Sequence, residues 1–228
     1  MTVRLYCFAH AGGDARMFRT WQAELPGYVE VCPVQLPGRG QRLGDRPVDT
    51  LEAALDDVLP RIDTGDPYAL FGHSLGAVLA YEVAHRLGRS PVRLFASAHR
   101  APHLPLREPV IHDLPDKQFL ARLAETGGTP QVVLDSPEFL RALMPALRAD
   151  FTISETYRYV ERPLLDCPVD AYGGLADPDV TPAELDGWQH HTKGLFRRLL
   201  FPGNHFYLAK AREALLAEVA AALVAAAG

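Results

Sequence analysis

The stretch FGHSLGAV, residues 71–78, places Ser74 between two glycines, directly after one apolar run and directly before another. Its centre, GHSLG, fits the pattern G-x-S-x-G, in which a strand ends in a sharp turn and a helix begins at once. Flanking glycines let strand and helix approach closely and leave the serine hydroxyl exposed. The alternative is that Ser74 is only a small residue at a tight turn. A predicted buried strand, Tyr68–Phe71, and a predicted helix, Leu75–Leu87, favour the nucleophile.

Apolar runs of strand length recur on both sides of this turn, and segments with helical spacing separate most of them. Alternation of strand and helix is typical of a parallel sheet, so the predicted fold class is α/β with a doubly wound sheet. Two helix starts carry capping signals, Asp49 with Glu52 and Thr181-Pro182 with Glu184. The predicted strands are Val3–Phe8, Val29–Val34, Tyr68–Phe71, Val92–Ser97, Val169–Tyr172 and Phe196–Phe201, and the predicted helices are Asp14–Leu25, Leu51–Ile62, Leu75–Leu87, Pro182–His191 and Tyr207–Ala226.

One segment, from about residue 100 to residue 166, breaks this alternation. It contains no convincing strand, but PDKQFLARLAET and SPEFLRALMPALRADFTISETYRYV have helical spacing. We expect a helical lid over the carboxyl edge of the sheet, where ligands bind in open α/β folds. The alternative is a helical embellishment that only adds core area. A chain of 228 residues, 48% of them hydrophobic, is long enough for one core, so we expect a single domain over 1–228 with this insertion.

Composition excludes several classes of protein. The net charge is −5 and no block of five Lys or Arg residues occurs, which argues against a nucleic-acid or anionic-membrane partner. No apolar run has membrane-spanning length, and the start MTVRLYCFAH is too quickly polar for a signal peptide. The isolated cysteines Cys7, Cys32 and Cys167 fit a reduced, cytoplasmic setting. No metal-ligand cluster and no phosphate-binding glycine fingerprint is found, so neither a metal nor a cofactor is predicted.

A nucleophilic serine needs a base and an acid that orients the base. Among nine histidines, His205 stands out, because it occupies the short loop PGNH after the last predicted strand and before the closing helix. That is the position which the chain order Ser, acid, His assigns to the base. Asp177 is the first carboxylate after the predicted strand DAYGG and is the predicted acid. Asp179 is the competitor, and an Asp-Pro pair also fits a simple turn.

The same chemistry requires two backbone N–H groups that stabilise the developing oxyanion. Leu75, the residue after the nucleophile, is expected to supply one of them. The loop after the first predicted strand, FAHAGG, has small residues that allow close backbone approach and is expected to supply the other. Ala11 is the first choice and Gly12 the second. The alternative is a tight turn without a catalytic role.

Taken together, these motifs resemble the type II thioesterases of the α/β-hydrolase superfamily, stand-alone enzymes that accompany polyketide synthases and nonribosomal peptide synthetases. The resemblance spans about residues 4 to 210 and places Ser74, Asp177 and His205 on the family's triad. It departs at Leu75, where many members have methionine, and at Leu175, where many have aspartate. The matching stretches are FAHAGG, LPGRGQR, FGHSLGAVLAYEVA, GGTP, LMPALRADF, YGGLADPDV and FPGNHFYL.

The resemblance implies an editing enzyme that hydrolyses acyl groups from the phosphopantetheine thiol of acyl or peptidyl carrier proteins, and a monomer is expected. Three alternatives stay open: a chain-releasing thioesterase for medium-chain fatty acids, a generic lidded carboxylesterase, and an inactive scaffold that binds an acyl carrier. Within LPGRGQR, Arg39 and Arg42 fit a turn brace and a contact with the phosphate of phosphopantetheine equally well. Acyl preference and the partner synthase are not readable from the sequence.

Overall fold

The computed structural model of the protein describes residues 2–107, 109–126 and 136–227. Six strands within these ranges form one parallel sheet in the order β2-β1-β3-β4-β5-β6. The chain passes from β1 to β2 on one side and then returns to β3 on the other side of β1. The direction of winding therefore reverses between β1 and β3. Ligand sites of open α/β sheets lie at such a switch point. The strands are β1 Val3–Phe8, β2 Val29–Val34, β3 Tyr68–His73, β4 Arg93–Ser97, β5 Val169–Gly174 and β6 Phe196–Phe201.

Helices connect the strands and cover the sheet. They are α1 Trp21–Glu24, α2 Leu51–Val58, α3 Leu75–Arg86, α4 Asp116–Thr126, α5 Pro137–Thr156, α6 Pro182–Asp186 and α7 Arg212–Ala227. Short 3-10 turns lie at Ala15–Phe18, Gly40–Arg42, Leu59–Arg61, Gly187–His191 and Tyr207–Ala209.

Successive side chains of a strand point to opposite faces of the sheet, and both faces are buried. In β3, Tyr68 and Leu70 belong to a core that also contains side chains of α2 and α3. Ala69 and Phe71 belong to a second core, which contains side chains of α1 and α7. Helices therefore pack on both faces, and the predicted doubly wound α/β fold class is confirmed.

The helix predictions were wrong in extent at several places. The predicted helix Asp14–Leu25 is a 3-10 turn followed by the short α1, and the closing helix begins at Arg212 after a separate 3-10 turn. Over one or two turns, the spacings of apolar residues in 3-10 and α-helices are too similar to separate.

The two capping predictions had different outcomes. Asp49 is not the cap of α2; the cap is Thr50, whose hydroxyl accepts a hydrogen bond from Ala53 N at 3.3 Å. The predicted box at α6 is confirmed, since Glu184 N donates to the Thr181 hydroxyl at 3.4 Å and Thr181 N donates to the Glu184 carboxylate at 2.8 Å.

The segment between β4 and β5 carries α4 and α5. A small buried cluster joins the two helices to the chain before them through Ile111, Phe119, Leu123 and Leu147. The GGTP stretch, residues 127–130, lies outside the described residues. No helix in the described ranges combines the length and apolar composition needed to cross a membrane.

Candidate active site

Ser74 lies on a strained turn between β3 and α3. Its backbone has φ 55° and ψ −119°, a region that few residues with a side chain adopt. Two hydrogen bonds hold the turn, from Ser74 N to Ser97 O at 2.8 Å and from Ala77 N to Ser74 O at 2.8 Å. Strain of this kind persists only where the surrounding structure fixes it, and it is common at catalytic positions.

Both glycines of the turn are required by close backbone approach. A Cβ atom on Gly72 would lie 2.0 Å from the carbonyl oxygen of Gly76, and one on Gly76 would lie 2.2 Å from the carbonyl oxygen of Phe8. These neighbours are backbone atoms of β1 and α3 and cannot rotate away. The glycines therefore allow α3 to begin directly against the end of β1, as the sequence pattern predicts.

Replacement of Gly76 by alanine is expected to lower the free energy of unfolding by about 3 kcal/mol, the upper end for overpacking. The added methyl would collide with Phe8 O. Gly88→Ala is the matched control, since a Cβ there meets no atom within 4 Å, and it should change stability by less than about 0.5 kcal/mol. Urea unfolding of both variants measures the difference. Equal midpoints would contradict the role given to Gly76.

Asp177 and His205 meet at the carboxyl edge of the sheet. The loops that carry them are joined by backbone hydrogen bonds from Leu175 N to Phe201 O and from Ala176 N to Gly203 O, both at 2.8 Å. The Nδ1 atom of His205 lies 2.9 Å from Asp177 Oδ2. The other carboxylate oxygen of Asp177 accepts hydrogen bonds from Asp179 N at 2.9 Å and Val180 N at 3.2 Å. The Asp177 side chain is thus fixed on both of its oxygens and is 0% exposed.

Asp179 is less well placed to orient the histidine. Its nearer carboxylate oxygen is 3.8 Å from His205 Nδ1, and its side chain is 31% exposed. Burial raises the pKa of the Asp179 carboxyl above its ordinary value, partly offset by His205. Asp177, Asp179 and His205 bring possible metal-ligand atoms within 4.8 Å of one another. The hydrogen bonds to Asp177 already hold its oxygens in the orientation that a Ser-His-Asp triad needs.

Ser74 and His205 line the same cavity. No hydrogen bond joins the Ser74 hydroxyl to His205 among the described residues. Catalytic hydrogen bonds are often long in hydrolases without bound substrate and shorten in the Michaelis complex. The geometry thus pairs Asp177 with His205 directly and brings Ser74 to the same space.

The loop that follows β1 lies beside the turn that carries Ser74. The Gly12 N–H is engaged, because it donates to Asp150 Oδ2 at 2.7 Å. The Ala11 N–H has no protein acceptor within the described ranges, and neither has the N–H of Leu75 at the first position of α3. Ala11 lines the cavity with Ser74. This arrangement favours Ala11 over Gly12, and it agrees with the order in which the sequence ranked them.

His73, next to the nucleophile, faces away from the cavity. Its Nδ1 atom lies 2.7 Å from the Ser97 hydroxyl, which lies 2.6 Å from the hydroxyl of Tyr207. Burial, with His205 and His10 nearby, holds the pKa of His73 well below its ordinary value. His99, on the cavity wall, is also buried, which lowers its pKa to about 3. Both are therefore neutral near pH 7, and neither takes the position of a base paired with a carboxylate.

The cavity has a volume of about 170 Å³ and a mixed wall. Apolar side chains from the insertion contribute Leu106, Ile111, Leu123 and Phe151. Polar and charged groups share the wall: His10, His99, Arg100, Arg122, Ser154, Glu155 and Asp179. The insertion thus supplies a large part of the surface that would meet a bound acyl group.

The two arginines of LPGRGQR brace the structure. Arg39 is 2% exposed and forms a two-bonded ion pair with Asp150, with Nη2 to Oδ1 at 2.8 Å and a second contact from Nη1 to Oδ2. Arg42 pairs with Asp57 at 2.8 Å and with Asp45 at 2.7 Å. Of the two possibilities left open by the sequence, the structure supports the brace.

Asp150 was missed by sequence reasoning, although a signal was present. It lies three residues after Leu147 and seven after Leu143, so it occupies the apolar stripe of α5. A carboxylate on such a stripe is rarely buried without a partner. That observation predicts a buried ion pair, but it does not identify the partner, because Arg39 is 111 residues away in the chain.

Comparison with known proteins adds a second line of support. A family model described as a thioesterase domain matches residues 3–223. Linear gramicidin dehydrogenase LgrE of Brevibacillus parabrevis is 41% identical over 232 residues, covering 97% of this chain and 88% of that protein. Its name denotes redox chemistry, whereas the family model and the solved structures RedJ and BorB are named for thioester hydrolysis.

Two solved structures have nearly the same fold. The thioesterase RedJ from the prodiginine biosynthetic pathway of Streptomyces coelicolor is 42% identical, with a TM-score of 0.89, and the match covers 97% of this chain and 85% of that one. The type II thioesterase BorB from the borrelidin biosynthetic cluster is 38% identical, also with a TM-score of 0.89, and the match covers 98% and 93% of the two chains. The likeness thus extends over nearly the whole sequence.

Proposed function

The chain belongs to the thioesterase family, and from that premise we propose that it is an editing type II thioesterase, which hydrolyses acyl groups from the phosphopantetheine arm of carrier proteins in polyketide or nonribosomal peptide synthesis. The observation that carries the proposal is the convergence of Ser74, on its strained turn, with the Asp177–His205 pair at one cavity. No part of this chemistry requires a cofactor or a metal.

In the proposed first step, the Ser74 hydroxyl attacks the thioester carbonyl carbon while His205 takes the hydroxyl proton. Asp177 holds His205 in the tautomer with hydrogen on Nδ1, leaving Nε2 free to accept that proton. The carbonyl oxygen becomes an oxyanion, which the N–H groups of Ala11 and Leu75 stabilise. When the carbon–sulfur bond breaks, the departing sulfur takes the proton held by His205. The free thiol leaves and an acyl-serine remains.

In the second step, water attacks the acyl-serine. His205 accepts a proton from the water, the oxyanion forms again at the same N–H groups, and the proton passes to Ser74 Oγ as the ester bond breaks. The products are a free acid and the regenerated serine. Since the acyl group is covalently held between the steps, the carrier protein can leave before hydrolysis is complete.

We also propose that the chain forms one α/β-hydrolase domain, 1–228, in which the segment of about residues 100–166 acts as a lid. Side chains on this segment line the cavity with Ser74, which supports the role. A carrier protein would then reach Ser74 with its flexible arm. We further propose a monomer in the cytoplasm, where the free thiols of Cys7, Cys32 and Cys167 stay reduced.

The mixed wall favours an editing role over release of long fatty acids. Arg100 and Ser154 share the cavity with apolar side chains. A long alkyl chain would remove these polar groups from water without giving them new partners, which is costly. A short acyl group leaves room for water beside them. The proposed substrates are therefore short acyl units.

The proposal is tested by varying the leaving group and the acyl length separately. With one short acyl group, kcat/KM should rise from an ethyl ester, to an N-acetylcysteamine thioester, to the same acyl group on a carrier protein. A thiol, with a pKa of about 8.5, leaves more readily than an alkoxide, and contacts with the arm and the carrier orient the reacting carbon. The same series with a decanoyl group is the control for the pocket, and it should be slower on every leaving group.

Two outcomes would contradict this function. Equal efficiency on the ethyl ester and on the carrier-bound thioester would indicate a generic esterase. A preference for decanoyl over the short acyl group on the carrier would indicate a chain-releasing thioesterase instead.

A further inference from the structure

A buried carboxylate connects the insertion to the loop that follows β1. Asp150, on α5, is 0% exposed, and its Oδ2 atom accepts the Gly12 N–H at 2.7 Å. Gly12 directly follows Ala11, the proposed oxyanion donor. One turn earlier on α5, Leu147 also contacts Gly12. A Cβ atom added to Gly12 would lie only 2.3 Å from Leu147 Cδ2. The loop therefore rests on a single turn of α5.

Arg39 completes this contact from a third segment. Its guanidinium forms two hydrogen bonds with Asp150 and donates from Nε and Nη2 to Pro37 O at 3.3 Å. Both charged groups are almost wholly buried. Burying two charges costs about as much free energy as their attraction returns, so such a pair is a weak source of stability. A role in positioning accounts for the pair better than a contribution to fold stability.

The loop itself has the geometry of a tight turn. Gly13 N donates to His10 O at 2.9 Å, and Gly12, at the third position, has φ +77°. A positive φ at this position is the mark of a type II turn, and it fixes the plane of the Ala11–Gly12 peptide. Asp150 receives the N–H of that same peptide. The Ala11 N–H belongs to the preceding peptide of the same turn, so the hydrogen bond from Gly12 to Asp150 ties the turn that presents this N–H to α5.

We propose that Asp150 and Arg39 are positioning residues for the oxyanion hole: Asp150 fixes the loop that presents the Ala11 N–H, and Arg39 neutralises the Asp150 carboxylate. This inference rests on the proposed function. The neutralisation matters because Asp150 accepts the N–H of Gly12, the residue directly after the proposed oxyanion donor Ala11. An unpaired negative charge in that place would oppose the charge that develops in the transition state, and a buried site screens it poorly.

The test uses Arg39→Gln, Asp150→Asn and the double variant, with Asp170→Asn as the matched control. Asp170 is also 0% exposed and is also ion-paired, in its case with two arginines, Arg93 at 2.7 Å and Arg197 at 2.6 Å, but it lies near the opposite end of β5 from the site. For each protein, kcat and KM are measured with one thioester, and the dissociation constant is measured for an alkyl boronic acid. A boronic acid forms a tetrahedral adduct with the serine and places an oxygen where the oxyanion would lie.

We expect Arg39→Gln to lower kcat about 100-fold and to weaken boronic acid binding by a similar factor, with KM changed less than about threefold; loss of one oxyanion donor costs about 100- to 1,000-fold. Asp150→Asn should lose less, about tenfold, because its amide oxygen can still accept the Gly12 N–H. The double variant should resemble Asp150→Asn and thus be more active than Arg39→Gln. Asp170→Asn should lower the melting temperature and leave kcat and boronic acid binding unchanged.

Two results would overturn the proposal. If Arg39→Gln and Asp150→Asn lower only the melting temperature, as the control does, the pair is structural. If the double variant is more impaired than Arg39→Gln, Arg39 does not act by neutralising Asp150. Should Arg39→Gln fail to fold, boronic acid binding by Asp150→Asn against Asp170→Asn decides the question. Boronic acid binding by the unaltered protein without any thioester turnover would count against the proposed function and not against the positioning pair.

Discussion

Ser74→Ala is expected to abolish thioester hydrolysis, with a loss in kcat of about 10⁴-fold or more. The change removes the attacking oxygen and little volume. Alanine keeps the Cβ atom that serine already places at φ 55°, so the backbone strain at the turn is unchanged. The hydrogen bonds that hold the turn use backbone atoms only. The melting temperature should therefore stay within a few degrees of that of the unaltered protein.

Two measurements make this result decisive. Rapid quenching of the unaltered protein with a labelled thioester should trap an acyl group on Ser74, as a two-step mechanism requires. The matched control is Ser90→Ala, which should leave kcat unchanged. Ser90 lies in the loop before β4, at the amino-terminal ends of the strands and away from the site. Activity of Ser74→Ala within tenfold of the unaltered protein would show that Ser74 is not the nucleophile.

Asp177→Asn is expected to cost about 10⁴-fold in kcat while the site keeps its shape. The side-chain oxygen of asparagine can still accept the hydrogen bonds from Asp179 N and Val180 N. Its amide group would then face His205 Nδ1 and donate to it. This favours the histidine tautomer with hydrogen on Nε2, which cannot take the proton of Ser74. Steady-state kinetics with one carrier-bound thioester measures the loss.

Asp179→Asn is the matched comparison, since it makes the same chemical change two residues away. Its carboxylate lies 3.8 Å from His205 and is partly exposed, so we expect a loss of less than about tenfold. If Asp179→Asn proved the more damaging of the two, the acid would have to be reassigned to Asp179. Similar losses for both would mean that the two carboxylates act on His205 together.

The sequence predicted the strands more closely than the helices. The bounds of β1, β2 and β6 coincide with the predicted ones, whereas β3 and β5 extend two residues further than predicted and β4 begins one residue later. The sequence predicts α-helix at the two 3-10 turns, Ala15–Phe18 and Tyr207–Ala209, because apolar spacing over a single turn does not separate the two helix types. The cap of α2 was misplaced by one residue, because Asp49 and Thr50 are both good capping residues.

Some features of the site were likewise predictable from the sequence, and others were not. The turn at Ser74, the position of His205 and the loop at Ala11 were readable because each directly follows a strand end that the sequence marks. Order along the chain favours Asp177 over Asp179, and the structure adds their distances to His205, 2.9 Å and 3.8 Å. Whether Arg39 meets a phosphate or braces a turn was open in the sequence, and only its burial against Asp150 separates the two.

By itself the sequence determined the parallel α/β class, the strained turn at Ser74 and the order of the residues expected to form the triad. These depend on short-range patterns: apolar runs, glycines beside a serine, and loops next to strand ends. Only the tertiary structure decided which carboxylate lies against His205, which of the Ala11 and Gly12 N–H groups is bound to a protein acceptor, and that α5 supports that loop through Asp150. Those contacts join segments 28 to 138 residues apart. The packing of the whole chain sets such distances, and no local pattern of residues records them.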